Sequence, residues 1–191
     1  MDIVVGHMPA PQVVFAGPMG VGKTTALRAV AGPDLVGMDV HSLEVGAAMR
    51  ALGKSTTTAG FDYGECLLPD GRRVALYGLP GQERFDLMWD VVTQGCSGIV
   101  LWVFGNSADG VEHCEVWLKA LSKRLPRTRL VVAVSRLSPH GRDDGLHAFA
   151  ALARRFHPQA VVIAADPRAR DEVRHVVASV LAAPSARFLA A

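Results

Sequence analysis

The run Gly17-Pro18-Met19-Gly20-Val21-Gly22-Lys23-Thr24 fits the eight-position pattern G-x-x-x-x-G-K-[ST] without gap or substitution. No other stretch restricts the fold as much. The pattern requires a strand that delivers the chain into a tight loop and a helix that leaves it. Gln12-Val13-Val14-Phe15-Ala16 reads as that strand, short and buried. Thr25-Ala26-Leu27-Arg28-Ala29-Val30 reads as the helix, which stops at Gly32-Pro33. Such a loop binds phosphate. Gly17 and Gly22 let the backbone wrap closely, so that consecutive N–H groups, with Gly20, Val21 and Thr25 in the same row, point at anionic oxygens. Lys23 adds a full positive charge, Thr24 offers a hydroxyl to Mg²⁺, and the helix directs its positive dipole end at the same place.

The rest of the chain reads as the frame around that loop. Strand-like apolar runs recur at 12–17, 61–68, 73–78, 98–104, 129–134 and 160–165, and helical patterns at 23–31, 86–94, 110–124, 142–156 and 170–182. This alternation predicts an α/β P-loop NTPase fold: a three-layer sandwich with helices on both faces of a six-stranded, mostly parallel sheet. Pro69-Asp70-Gly71 is too short for a crossover, so 61–68 and 73–78 form a hairpin and one strand is antiparallel. Residues 32–59 form a long intervening segment. Val40, Leu43, Ala47, Ala48, Ala51 and Leu52 recur there at helical spacing, which fits either a helix packed on the core or one that faces a partner.

Composition narrows the classes. With 191 residues, half of them hydrophobic, the chain reads as one domain at 12–183, with an extension at 1–11 and a tail at 184–191. A net charge of +2 and the absence of a dense Lys/Arg run argue against a nucleic-acid partner. Cys66, Cys96 and Cys114 are odd in number and lack C-x-x-C spacing, so neither a disulfide framework nor a zinc site is implied, and a reducing cytoplasm is expected. No apolar run approaches the roughly eighteen residues that span a bilayer. The last residues, 186–191, contain no cysteine to prenylate, so no direct membrane anchor is expected.

A second constellation, Leu76-Tyr77-Gly78-Leu79-Pro80-Gly81-Gln82-Glu83-Arg84-Phe85, stands at the end of a strand. Pro80 to Phe85 resembles the D-x-x-G-Q-E-R-F stretch of Ras-like small GTPases, and Thr58-Ala59-Gly60-Phe61-Asp62-Tyr63 resembles their T-I-G-x-D-F switch sequence. The resemblance spans about 12–182 and is nearest the prokaryotic branch with MglA-type and conservon-type members. It implies a switch that binds GTP or GDP with Mg²⁺ and hydrolyses GTP slowly. Lys23 would hold the β- and γ-phosphates, Thr24 and Thr58 would ligate the metal, Gly81 would donate its N–H to the γ-phosphate, and Gln82 would orient the attacking water. It also implies a roadblock/LC7-type activating partner. Trp89, Trp102 and Trp117 are assigned to packing, and His41 to a structural or exposed role.

Three positions depart from the family. Gly78 replaces the aspartate that holds Mg²⁺ through a water, which implies weaker metal binding. Met19 stands at the third P-loop position, where a side chain crowds the catalytic glutamine and an incoming arginine finger. Ser135-Arg136-Leu137-Ser138 replaces the base-reading N-K-x-D, so the carboxylate that reads guanine is lost while Arg136 can still stack on a purine. Asp143 and Asp144 fit helix caps better than a substitute for it. Asp166-Pro167-Arg168 corresponds to the last base loop. These departures keep a second reading open, a pseudo-GTPase scaffold with weak or unselective nucleotide binding. An ATP-using kinase is disfavoured by Pro80-Gly81-Gln82 and by the lack of an arginine-rich lid.

Overall fold

The computed structural model describes residues 10–32, 36–38, 61–81, 95–122, 128–137 and 142–182. Among the described residues seven strands form one sheet: β1 (Gln12–Ala16), β2 (Val36–Met38), β3 (Phe61–Leu67), β4 (Arg73–Gly78), β5 (Gly98–Phe104), β6 (Arg129–Ser135) and β7 (Val161–Ala164). Their order across the sheet is β2-β3-β4-β1-β5-β6-β7. The helices among the described residues are α1 (Lys23–Ala31), α2 (Gly110–Leu121), α3 (Arg142–Phe156) and α4 (Arg170–Leu181). The six strands expected from sequence are present and end within about a residue of the expected limits. A further strand, β2, arises inside the 32–59 segment and pairs antiparallel with β3. The expected helices at 86–94 and within 40–52 lie outside the described residues.

β3 alone runs against the main direction, paired antiparallel with β4, while β4, β1, β5, β6 and β7 pair in parallel. The turn behind that reversal is the one its residues suggest. Gly71 takes φ +83°, its N–H donates to the Leu68 carbonyl at 3.0 Å, and the Asp70 carboxylate accepts from the Arg72 N–H at 3.0 Å.

Alternation along the central strands divides the core in two. Val13 and Phe15 of β1 and Val100 and Trp102 of β5 face α1 and α4, where Leu27, Val30, Val173 and Val177 meet them. Val14, Ile99 and Leu101 face the opposite side, against Cys114, Trp117 and Leu118 of α2 and Phe149 and Leu152 of α3. Trp102 and Trp117 are therefore core residues, 0% and 5% exposed. The three cysteines are free and buried, and burial pushes all three thiols up, Cys114 to about 12.

In a sheet of this kind ligands settle beyond the carboxyl ends of the parallel strands. That edge collects the loops after β1, β4, β6 and β7. Because β3 is antiparallel, its first residues reach the same edge.

Candidate functional site

The loop after β1 is held by what its glycines lack. Gly17 has φ +130°, and a side chain there would run into the Trp102 backbone oxygen of β5. Gly22, at φ +113°, precedes α1 with no side-chain cap, and no acidic residue stands in the first turn of the helix. The helix N-terminus is thus left open to an outside anion.

Lys23 is only 8% exposed. Its Nζ donates to the Gly17 carbonyl at 2.7 Å and the Pro18 carbonyl at 2.8 Å, which folds the loop over its stem. Burial lowers the ammonium from 10.5 to about 8, and the negative charge of Asp62 opposes that shift. A desolvated cation facing a cavity favours an anionic ligand.

Beside it, Thr24 Oγ1 donates to Asp62 Oδ2 at 2.5 Å. Both line a cavity of about 380 Å³ shared with Lys23, Gly78, Pro80 and Gly81. Gly81 presses on the loop: an added Cβ would lie 2.5 Å from the Met19 nitrogen. The hydroxyl and carboxylate are hard oxygen donors, the donor type that suits Mg²⁺. Thr24 and Asp62 are the described residues that would hold it, through the hydroxyl and the carboxylate respectively.

A second cavity of about 550 Å³ adjoins the first at Gly20, Gly22 and Thr25. Its far wall comes from β6 and β7. Ser135, fully buried, donates to the Val103 carbonyl at 3.0 Å and reaches the Val21 carbonyl at 3.5 Å, tying β6 to β5 and to the loop after β1. Arg136 takes φ +56°, which swings its guanidinium over the Phe104 ring at 4.9 Å and lets Nη2 donate to the Gly20 carbonyl at 3.0 Å. The Pro167 ring packs on Gly22, with Pro167 Cγ 2.6 Å from where a Cβ would stand. The Asp166 carboxylate accepts from the Arg168 guanidinium at 2.7 Å and from the Arg168 N–H at 2.9 Å, and Arg168 holds it down to about 2.

No family model matches the chain, and no curated protein matches it. Solved structures do. The bacterial selenocysteine-specific elongation factor EF-Sec aligns with TM-score 0.63 and 16% identity over 91% of this chain and 29% of its own. The G domain of the T. maritima FeoB iron transporter aligns with TM-score 0.60 and 13% identity over 91% of this chain and 99% of its own. The fold is that of a G domain. The FeoB cytosolic domain in a GDP form aligns with TM-score 0.61 and 14% identity over 92% of this chain and 64% of its own. The chain thus spans under a third of the elongation factor and under two thirds of the cytosolic domain.

Within this fold, Gly17, Gly20, Val21, Gly22, Lys23, Thr24, Thr25 and Gly81 gather at the end formed by the loop after β1 and the start of α1. Ser135, Arg136, Asp166, Pro167 and Arg168 gather at the other. Thr58, Gln82, Trp89, Ser138 and His41 lie outside the described residues. Met19 is 71% exposed at the mouth of the smaller cavity. The sequence alone assigns no role to Asp62, which stands within the switch-like stretch Thr58 to Tyr63. A signal was available: the hairpin turn places Asp62 directly across from Gly78.

Proposed function

We propose that the chain is a guanine-nucleotide-binding switch of the Ras-like type that hydrolyses GTP slowly. The observation that carries this reading is Lys23, a buried cation bonded to two loop carbonyls and facing a cavity that also holds a hydroxyl and a carboxylate. Such a site gains most from a ligand that brings negative charge together with a hard cation, as a Mg²⁺-bound polyphosphate does. In that role Lys23 neutralises phosphate oxygens, Gly20 to Thr25 direct backbone N–H groups at them, and Gly81 approaches the loop from the strand end. Mg²⁺ supplies charge neutralisation at the phosphates. Gln82 is the residue proposed to orient the attacking water, and Thr58 to close over the phosphate and the metal. The exposed Met19 side chain stands where an arginine finger would enter, in keeping with slow turnover. A roadblock/LC7-type partner and a cytoplasmic setting are proposed on the family resemblance. Among the described residues no helix is long and apolar enough to cross a membrane.

The base end supports the second reading. Arg136 offers a stacking face and Ser135 ties the loops, but Asp166, a carboxylate on that wall, is engaged by Arg168. A site built this way grips a purine by its face more than by its edge, which fits an unselective pseudo-GTPase scaffold.

Titrating fluorescent GTP and ATP analogues in Mg²⁺ decides between them. Preference for GTP supports the switch, equal affinities show an unselective pocket, and absence of binding removes the switch reading. Gln82→Ala then tests catalysis: turnover is expected to fall, and unchanged turnover removes Gln82 from the mechanism.

A further inference from the structure

We infer that Asp166 is the group that selects guanine in this chain, and that Arg168 is a latch that occupies it until the base arrives. The inference rests on the nucleotide reading above and deepens it at the larger cavity. Thr25, Arg136, Asp166 and Arg168 are the lining residues there with polar side chains, and Asp166 is the carboxylate among them. Among the described residues it is therefore the one charged acceptor that this cavity offers to the N–H donors of a base.

The latch shows what the carboxylate takes. Arg168 Nη2 donates to Asp166 Oδ2 at 2.7 Å and Nε to Oδ1 at 3.0 Å, so two parallel N–H groups of one flat group meet both oxygens. Guanine presents the same arrangement, with N1–H and the N2 amino group side by side in one plane. Adenine presents a bare N1 beside its amino group, and that lone pair would face the carboxylate. The same two oxygens thus accept guanine twice and repel adenine along half of its edge.

The loop is built so that the latch can open while Asp166 stays in place. The Ala165 N–H donates to the Val134 carbonyl at 3.0 Å, which carries the hold of β6 to the residue before Asp166. The Asp166 N–H donates to a Glu172 carboxylate oxygen at 2.8 Å, and its carbonyl accepts from the Ala169 N–H at 3.0 Å, so its backbone is fixed to the start of α4. The Arg168 N–H adds a bond to Oδ1 at 2.9 Å that does not involve the guanidinium. The guanidinium is the exposed partner. The Arg168 side chain is 80% exposed, against 38% for Asp166, and its bonds among the described residues all go to Asp166. An ion pair this open to water is weak, because water solvates each group nearly as well apart. The engaged carboxylate of the free protein is thus a resting state, which a base with its own pair of donors displaces.

Two variants test the inference, by competition of GTP, inosine triphosphate and ATP against a fluorescent GDP analogue in Mg²⁺. Arg168→Gln removes the latch. GTP affinity is expected to rise about threefold, the scale of an exposed ion pair, while ATP affinity stays level. Asp166→Asn keeps an oxygen for the Arg168 N–H but loses the charge and one acceptor. GTP is expected to weaken about tenfold or more with ATP level, and inosine triphosphate, which lacks the N2 amino group, to weaken less. A residue that only holds the loop together would move all three nucleotides in parallel, so parallel changes overturn the inference, as does a GTP-to-ATP ratio that neither variant moves. Weaker GTP binding by Arg168→Gln would make Arg168 a ligand contact and overturn the latch. Asp166→Ser gives the same ratios should the Asn variant fold poorly. A parent protein that binds none of the three removes the nucleotide reading itself, an outcome distinct from binding without discrimination, which removes this inference alone.

Discussion

Replacing Gly22 with alanine should separate two kinds of cost at one position. The first is conformational: at φ +113° a side chain is strained whatever surrounds it. The second is a collision, because the new methyl would stand 2.6 Å from Pro167 Cγ and 3.0 Å from Pro167 Cβ. The Pro167 ring cannot swing away as a flexible chain end would. Overpacking of this kind costs about 1–3 kcal/mol. For a domain of this size that is about 2–12 °C of melting temperature, at about 2–4 °C per kcal/mol. Gly20→Ala is the natural comparison, since Gly20 also has positive φ, at +75°, but meets no atom within 4 Å. A double-mutant cycle of Gly22→Ala with Pro167→Gly isolates the contact, because the backbone strain appears in both arms and cancels. Thermal melts of the four proteins measure stability, and nucleotide titration shows whether displacing Pro167 also opens the larger cavity. A coupling energy below about 0.5 kcal/mol, the ordinary scatter of additivity, would refute the contact as a link between the two ends of the site.

Two further outcomes follow from the same geometry. Burial lowers Lys23 to about 8 in the free protein, and an anion restores its affinity for the proton, so binding takes up a proton and weakens as pH rises. In metal-free buffer nucleotide affinity should fall about tenfold from about pH 7 to pH 9, as the protonated fraction falls, and a flat profile would reject that role for the ammonium. Arg136→Ala removes the Phe104 stack and the bond to the Gly20 carbonyl. Through loss of the face proposed to stack on the purine it should weaken nucleotide binding severalfold, for about 1 kcal/mol lost, and through loss of the two internal contacts it should lower the melting temperature modestly. A large melting loss without an affinity change would make Arg136 a structural tie instead.

The sheet was legible because its strands are dense and well punctuated. Val13 to Ala16, Ile99 to Phe104 and Leu130 to Val134 are continuous apolar runs, as expected of strands covered on both faces. β2 was not legible, since Val36-Gly37-Met38 is too short to show alternation and carries a glycine. At the site, the loop from Gly17 to Thr24 announced itself through residue types that few other structures need. Ser135 was legible as a position, but not as the hydroxyl that joins β5, β6 and the loop after β1. Arg136 gave no sign of its left-handed backbone, which a glycine or asparagine would have suggested. Asp62 could have been found by counting outward along the hairpin from Leu67 and Arg73, a step that turns a missing side chain at Gly78 into a question about its neighbour.

The burial of Cys66, Cys96 and Cys114 has a practical consequence. Thiol reagents attack the thiolate, and these three thiols are both shielded and held in the protonated form near neutral pH. A cysteine introduced at Val116, exposed on α2, would therefore react first and carry a single reporter dye without removal of the native thiols. The unmodified chain becomes its own blank, and slow labelling of the native three would time the opening of the core.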